Sequence, residues 1–171
     1  HTRRVADLAI ALGKRAGLNK DQLRNVELGA IIHDIGKVST PEHILNKPGR
    51  LTFEEFEVMK GHPEAGANII RPISALKSTA DIVLSHHEKL DGSGYPHGLS
   101  SNEITIETRI VTIADIFDAL FTDRPYRVGM PLEQTMSILK EDARSGKLDQ
   151  DIISYLEDMI QTGELNEIYH D

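Results

Sequence analysis

An all-α chain, folded as a single helical bundle, is predicted on three observations. Apolar residues recur at i, i+3 and i+4 spacing in successive segments, several of those segments open on a capping residue, and the single Ile/Thr/Val-rich run, 104–113, has no second run of strand character to pair with. The length, 171 residues, suits one domain. Val5, Leu8, Ala9, Leu12 and Ala16 form the first stripe, which ends near Gly17. Asn19 starts the second helix: with Gln22 it makes a capping box, and Leu23, Val26, Ala30 and Ile31 carry the apolar face to an expected stop at Gly36. Thr40 and Pro41 read as the cap and first position of a short helix, 46–50 (NKPGR) as a turn, and Thr52 with Glu55 as a second capping box, for a helix that breaks near His62 and Pro63. Helical stretches over 64–70 and 78–87 lead into an irregular loop, 90–101 (LDGSGYPHGLSS). Beyond it, 106–120 and 132–143 are predicted helices, and Asp149 caps a last one to about residue 160. The expected domain is 1–160, with 161–171 a C-terminal tail of weak periodicity.

Composition excludes several functions. With no Cys there is no disulfide, thiolate zinc site or cysteine nucleophile, which fits a reducing compartment and makes the cytoplasm the expected location. No apolar run approaches the roughly 20 residues of a membrane span. A net charge of -8 argues against a nucleic-acid groove, so DNA is not an expected partner. The chain begins at His1 without Met, as though cut from something longer.

The chemistry concentrates in histidine. Of eight His, five (His1, His33, His62, His86 and His87) fall beside acidic residues or at helix ends. His33 either complements a helix C-terminus while Asp34 faces water, or both reach metal ions between helices, with Asp34 bridging two. His86 and His87 are either polar turn residues or a pair serving one ion. Asp115 lies among Ile110, Val111, Ile113, Ala114, Ile116 and Phe117, where a buried carboxylate needs a salt bridge to Arg109, Arg124 or a Lys, or else a metal; Asp118 is expected in a salt bridge. Five imidazoles with Asp34 and Asp115, drawn from five helical segments, suit Fe, Mn, Ni, Co or Zn better than Ca or Mg. Seven ligands sharing a carboxylate imply two ions, an arrangement for hydrolysing phosphoesters. Lys37 is placed to neutralise a phosphate. Arg124 and Arg127 are a fork for phosphate or guanine, or a solvated surface run. Gly92, Gly94 and Pro96 shape a loop that offers Tyr95 to a base or a partner, or a simple turn. His43, His97 and His170 read as surface residues.

These residues sit in segments that resemble the HD-GYP family of bacterial cyclic di-GMP phosphodiesterases, within the HD phosphohydrolase superfamily. The segments are HTRRVA (1–6), HDIGK (33–37), ILNKPGRLTFEEFEVMKGHPEAG (44–66), HHEKLDGSGYPHGL (86–99), RIVTIADIFDAL (109–120) and DRPYR (123–127). The resemblance implies a helical bundle of the HD-domain type with a Gly-rich GYP loop and extra C-terminal helices, hydrolysing cyclic di-GMP to linear pGpG and in some members on to GMP. It implies His1, His33, Asp34, His62, His86, His87 and Asp115 as metal ligands; Lys37, Arg124 and Arg127 as contacts to phosphate and guanine; and Gly94, Tyr95 and Pro96 as the border of the site. Asp34 and Lys37 are the expected catalytic residues, acting with a metal-held hydroxide as nucleophile. The expected cofactors are two divalent transition-metal ions, Fe or Mn, or three where a Glu stands one helical turn before the first His. Expected partners are an N-terminal sensor or receiver domain, a diguanylate cyclase (GGDEF) domain meeting the GYP loop, and a second copy in a homodimer. The competing readings are a catalytically weak cyclic di-GMP sensor and an HD hydrolase for another nucleotide. His1, on a first turn that frays, is expected to ligate weakly.

Overall fold

The computed structural model describes residues 1–124 and 127–169, and among them ten α-helices and no extended strand. In order these are α1 (Thr2–Arg15), α2 (Lys20–Ile32), α3 (Glu42–Leu45), α4 (Phe53–Met59), α5 (His62–Ile70), α6 (Ala80–Ser85), α7 (Ile106–Phe121), α8 (Leu132–Arg144), α9 (Gln150–Thr162) and α10 (Glu164–Tyr169). Short 3-10 turns cover Ile35–Ser39, Lys77–Thr79 and Ser101–Glu103. Both expected capping boxes form: Asn19 Oδ1 accepts from Gln22 N at 2.9 Å, and Glu55 Oε2 accepts from Thr52 N at 2.7 Å. Asp149 caps α9 by accepting from Asp151 and Ile152. Each cap contributes about 1 kcal/mol by satisfying amides that a helix start leaves unpaired.

Burial follows the apolar stripes. Val5, Leu8 and Leu12 of α1, Val26 and Ala30 of α2, and Ile110, Ile113 and Phe117 of α7 are fully buried against one another. Leu139, Ile152, Leu156 and Met159 extend this core through α8 and α9, and Leu165 brings α10 into it. Residues 161–169, set apart by their weak periodicity, are therefore the end of α9 and a packed tenth helix. A smaller cluster of Ile70, Ala80 and Val83, with Ile32 and Ile35, holds α5 and α6 onto the first 3-10 turn. The run 104–113, apart from its first two residues, lies in α7, which Thr105 caps by accepting from Thr108 N.

Two expected boundaries move. α2 stops at Ile32 rather than Gly36, because the chain tightens into a 3-10 turn whose backbone lies directly on α5. A Cβ at Gly36 would stand 1.8 Å from the His62 carbonyl oxygen and 2.5 Å from Gly66 N, so only glycine fits there. The stretch 78–87 is a 3-10 turn followed by α6, leaving His86 and His87 in the turn beyond it. The start of α1, the end of α2, the start of α5, the end of α6 and the middle of α7 thereby meet at one place. Among the described residues no helix is long and apolar enough to cross a membrane.

Candidate metal centre

Three imidazoles at this meeting point are oriented locally. Nδ1 of His33, His62 and His86 lies 2.7, 2.8 and 2.8 Å from the carbonyl three residues earlier, that of Ala30, Met59 and Val83. A carbonyl only accepts, so Nδ1 carries the proton and Nε2 turns a lone pair inward. Nε2 of His62 and Nε2 of His86 are 3.4 Å apart, and Asp34 Oδ1 is 3.3 Å from the first and 3.8 Å from the second. Three acceptors facing one another without a donor call for a cation among them. Asp34 Oδ1 and His33 Nε2 are accordingly buried without hydrogen-bond partners. His87 completes this half: Asp34, His62, His86 and His87 each bring a ligand atom within 4.8 Å of the others. Burial holds His86 well below the ordinary imidazole range and His87 down to about 4, so both are neutral, the form that ligates.

His1, His33 and Asp115 form the other half. Asp115 Oδ1 lies 3.3 Å from His1 Nε2 and 3.5 Å from His33 Nε2. Hydrogen bonds to Asp115 and then Asp118 lift His1 to about 9. Burial opposes ionisation of Asp115 and of Asp34. Against that, His1 and His33 beside it hold Asp115 well below the carboxylate range, and His62, His33 and Lys37 do the same for Asp34. Asp34 joins the halves, with Oδ1 on His62 and Oδ2 3.5 Å from His33 Nε2. All seven expected ligands thus converge, and a nitrogen-rich set with orphaned inward-facing acceptors fits a pair of borderline divalent ions.

The surroundings divide. Lys37 Nζ is 2.6 Å from Asp34 Oδ2, at the site. Arg124 Nη2 is 3.4 Å from His1 Nδ1, whereas the exposed Arg127 donates to the Ala119 carbonyl at the end of α7. Pro125 and Tyr126 of the RPYR run, and His170, lie outside the described residues. Tyr95 stacks on His87 at 4.8 Å, with Phe56 edge-on to it at 6.1 Å. A Cβ at Gly94 would stand 2.5 Å from the His87 carbonyl oxygen, so the loop lies directly on the backbone that follows His87, and Pro96 follows through a cis peptide. His43 and His97 are exposed, as expected.

Four participants escaped the sequence reading. Asp118, fully buried, accepts from His1 Nδ1 at 2.6 Å and from Arg4 Nε at 2.8 Å; its ion pair was foreseen, but not its partner Arg4 or its hold on a ligand. Its place three residues after Asp115, on one helix face, was the available signal. Glu88 is buried and accepts from the amides of His97 at 2.7 Å and Leu99 at 2.9 Å, which shapes the loop. Thr112 donates to the His86 carbonyl at 2.9 Å. Arg109, a candidate partner for Asp115, is instead committed to Asp149 at 3.0 Å and to the carbonyls of Ile104 and Ser101.

A helical bundle with His and Asp converging from separate helices, introduced by an adjacent His33-Asp34 pair, defines the HD domain class. The chain belongs to that family, whose model, described as HD domain, matches residues 1–152. It is 37% identical over 156 residues to 3'3'-cGAMP-specific phosphodiesterase 1 of Vibrio cholerae, covering 91% of this chain and 36% of that protein. It is 43% identical over 150 residues to a cyclic di-GMP phosphodiesterase of Thermotoga maritima, covering 86% and 40%. The chain therefore spans less than half the length of these curated relatives. Among solved structures it is similar to Bd1817, an HDG"Y"P protein from Bdellovibrio bacteriovorus, with a TM-score of 0.75, 25% identity and coverage of 94% of this chain and 51% of that one. It shares its fold with the HD domain of Listeria monocytogenes PgpH, at a TM-score of 0.73, 22% identity and coverage of 100% and 91%. The resemblance to HD-GYP proteins noted in the sequence is borne out.

Proposed function

We propose that this domain is a metal-dependent phosphodiesterase that opens a cyclic dinucleotide, with cyclic di-GMP converted to linear pGpG, and then to GMP, as the leading reaction. The carrying observation is the reach of Asp34, one carboxylate oxygen toward His62 and the other toward His33, so that a single side chain spans both ligand halves. In this reading Asp34, His62, His86 and His87 hold one ion, and His1, His33 and Asp115 the other, with Asp34 shared. A bound pair of Fe or Mn ions supplies Lewis-acid polarisation of a phosphoryl oxygen and a more acidic water. The chain's own residues do the rest. Asp34, kept ionised, and the neutral His86 and His87 offer lone pairs without a proton to shed, and His62 turns its Nε2 toward Asp34. Lys37, anchored on Asp34, brings a cation to the side where phosphate charge develops. Arg124, next to His1, and Arg127 would contact phosphate and guanine, and Tyr95, flanked by Gly94 and Pro96, offers a ring face to a base.

The same likeness supports a cytoplasmic domain, an N-terminal sensor or receiver domain, a GGDEF partner at the GYP loop, and a homodimer as further parts of the reading. The Vibrio relative makes 3'3'-cGAMP the second substrate to test. Purified protein supplied with Mn²⁺ or Fe²⁺ should turn over cyclic di-GMP to pGpG faster than 3'3'-cGAMP or cyclic di-AMP. Asp34→Ala should abolish that turnover with helix content unchanged, and undiminished turnover in this variant defeats the reading.

A further inference from the structure

Four of the five imidazoles in the cluster are aimed by a hydrogen bond behind the ring: His33, His62 and His86 by a carbonyl three residues earlier, and His1 by the Asp118 carboxylate. His87 is the exception. Among the described residues neither of its ring nitrogens has a hydrogen-bond partner, so nothing polar fixes its rotation or presents its lone pair to an ion. Its ring is held by rings instead. The centroid of His86 is 4.1 Å away, that of His62 5.1 Å and that of Tyr95 4.8 Å. Two of these neighbours are themselves ligands, and both meet His87 at an angle, 45° for His86 and 82° for His62. Tyr95 alone of the three lies nearly parallel, at 22°. A stacked pair resists the rotation that would swing the imidazole out of the shared plane.

The place of Tyr95 is itself set by backbone. Its N–H donates to the His87 carbonyl at 3.2 Å, so the two stacked residues are also tied through the main chain. A Cβ on the preceding Gly94 would stand 2.4 Å from Lys89 N and 2.5 Å from Glu88 Cα. The chain can come down there only because residue 94 has no side chain. Phe56 of α4 then packs edge-on to the Tyr95 ring at 6.1 Å.

We infer that Tyr95 is a positioning residue for the ligand His87, its ring stacked on the imidazole in place of the hydrogen bond that orients the other four. This rests on the metal-binding reading above and gives Tyr95 a task that precedes any nucleotide. It also gives the close approach at Gly94 a purpose. The effect belongs to the half of Asp34, His62, His86 and His87, since His33 is aimed by Ala30 and His1 by Asp118.

The test begins on the metal-free full chain, where nuclear Overhauser contacts between the His87 and Tyr95 rings are expected and their absence overturns the inference. A Mn²⁺ titration read by metal analysis follows, in which the binding step weakened by His87→Ala marks the half concerned. Tyr95→Leu keeps an apolar side chain but loses the ring. It should weaken that step about tenfold, the lower end of what loss of an orienting partner costs a metal ligand, and leave the other step as in the wild type. Tyr95→Phe keeps the ring and should bind both ions with wild-type affinities. In the His87→Ala background Tyr95→Leu should add nothing, because the ligand it acts through is gone. Wild-type affinities for both ions in Tyr95→Leu overturn the inference and leave the proposed function standing, as does an equal loss at both steps or the same loss in Tyr95→Phe. A wild-type chain that takes up no Mn²⁺ overturns both.

Discussion

The two halves of the ligand cluster are built on different physics. In the half of Asp34, His62, His86 and His87, the rings of His62 and His86 are aimed by carbonyls three residues away, so orientation comes with the end or start of the helix. In the half of His1, His33 and Asp115, His33 is aimed in the same local way by the Ala30 carbonyl, but the His1 ring is aimed by Asp118, 117 positions along the chain, itself held by Arg4. The first half is preorganised as soon as its helices form and dock, whereas the second exists only once α1 and α7 are packed. Substitutions should therefore break the halves separately.

The largest expected effect falls on Asp34, the residue the halves share. Gly36→Ala forces a methyl between backbone atoms of α5 that have no side chain to yield, 1.8 Å from the His62 carbonyl oxygen. It should cost about 3 kcal/mol, at the upper end for overpacking, and displace Asp34 from His62. A chemical denaturation curve and metal stoichiometry check it: both ions should be lost, since Asp34 serves both halves.

Asp118→Asn tests the second half alone. Removing the charge behind His1 should weaken the second ion by about 10- to 100-fold while the first binds as before. Equal weakening of both ions in a Mn²⁺ titration would merge the halves into one.

Chelated protein should show the halves opposing each other in pH. His87 titrates at about 4 in the native state, below the roughly 6.5 of an unfolded histidine, so the unfolded chain takes up a proton that the native chain refuses. Stability is present above about pH 6.5 and falls as pH drops toward 4. His1 is raised to about 9, so its contribution is complete below about pH 6.5 and is lost as pH rises through 9. Melting temperature against pH should peak between the two windows; His87→Gln should flatten the acid arm and His1→Gln the alkaline arm.

The smallest effect sharpens the picture at the loop. Glu88→Gln leaves one oxygen where two accepted the amides of His97 and Leu99, so one amide loses its acceptor at a cost of about 1–3 kcal/mol. Hydrogen exchange at these two amides should quicken by about tenfold or more, with metal binding unchanged.

Much of this was legible in the residues alone because its causes are local. The stripes of α1, α2 and α7, the boxes at Asn19 and Thr52 and the cap at Asp149 depend on neighbours within one helical turn, and the seven candidate ligands stand out because His and Asp in apolar helices need a cation or donors. What packing alone decided lies across the chain. The early stop of α2 follows from the approach of Gly36 to α5, and Arg4 rather than Arg109 or Arg124 answers Asp118 because α1 lies on α7. The docking of α10 on α1 carries no strong periodicity to betray it. Helix propensity and capping act over a few residues, whereas the partner of a buried charge is set by which surfaces the whole bundle brings together.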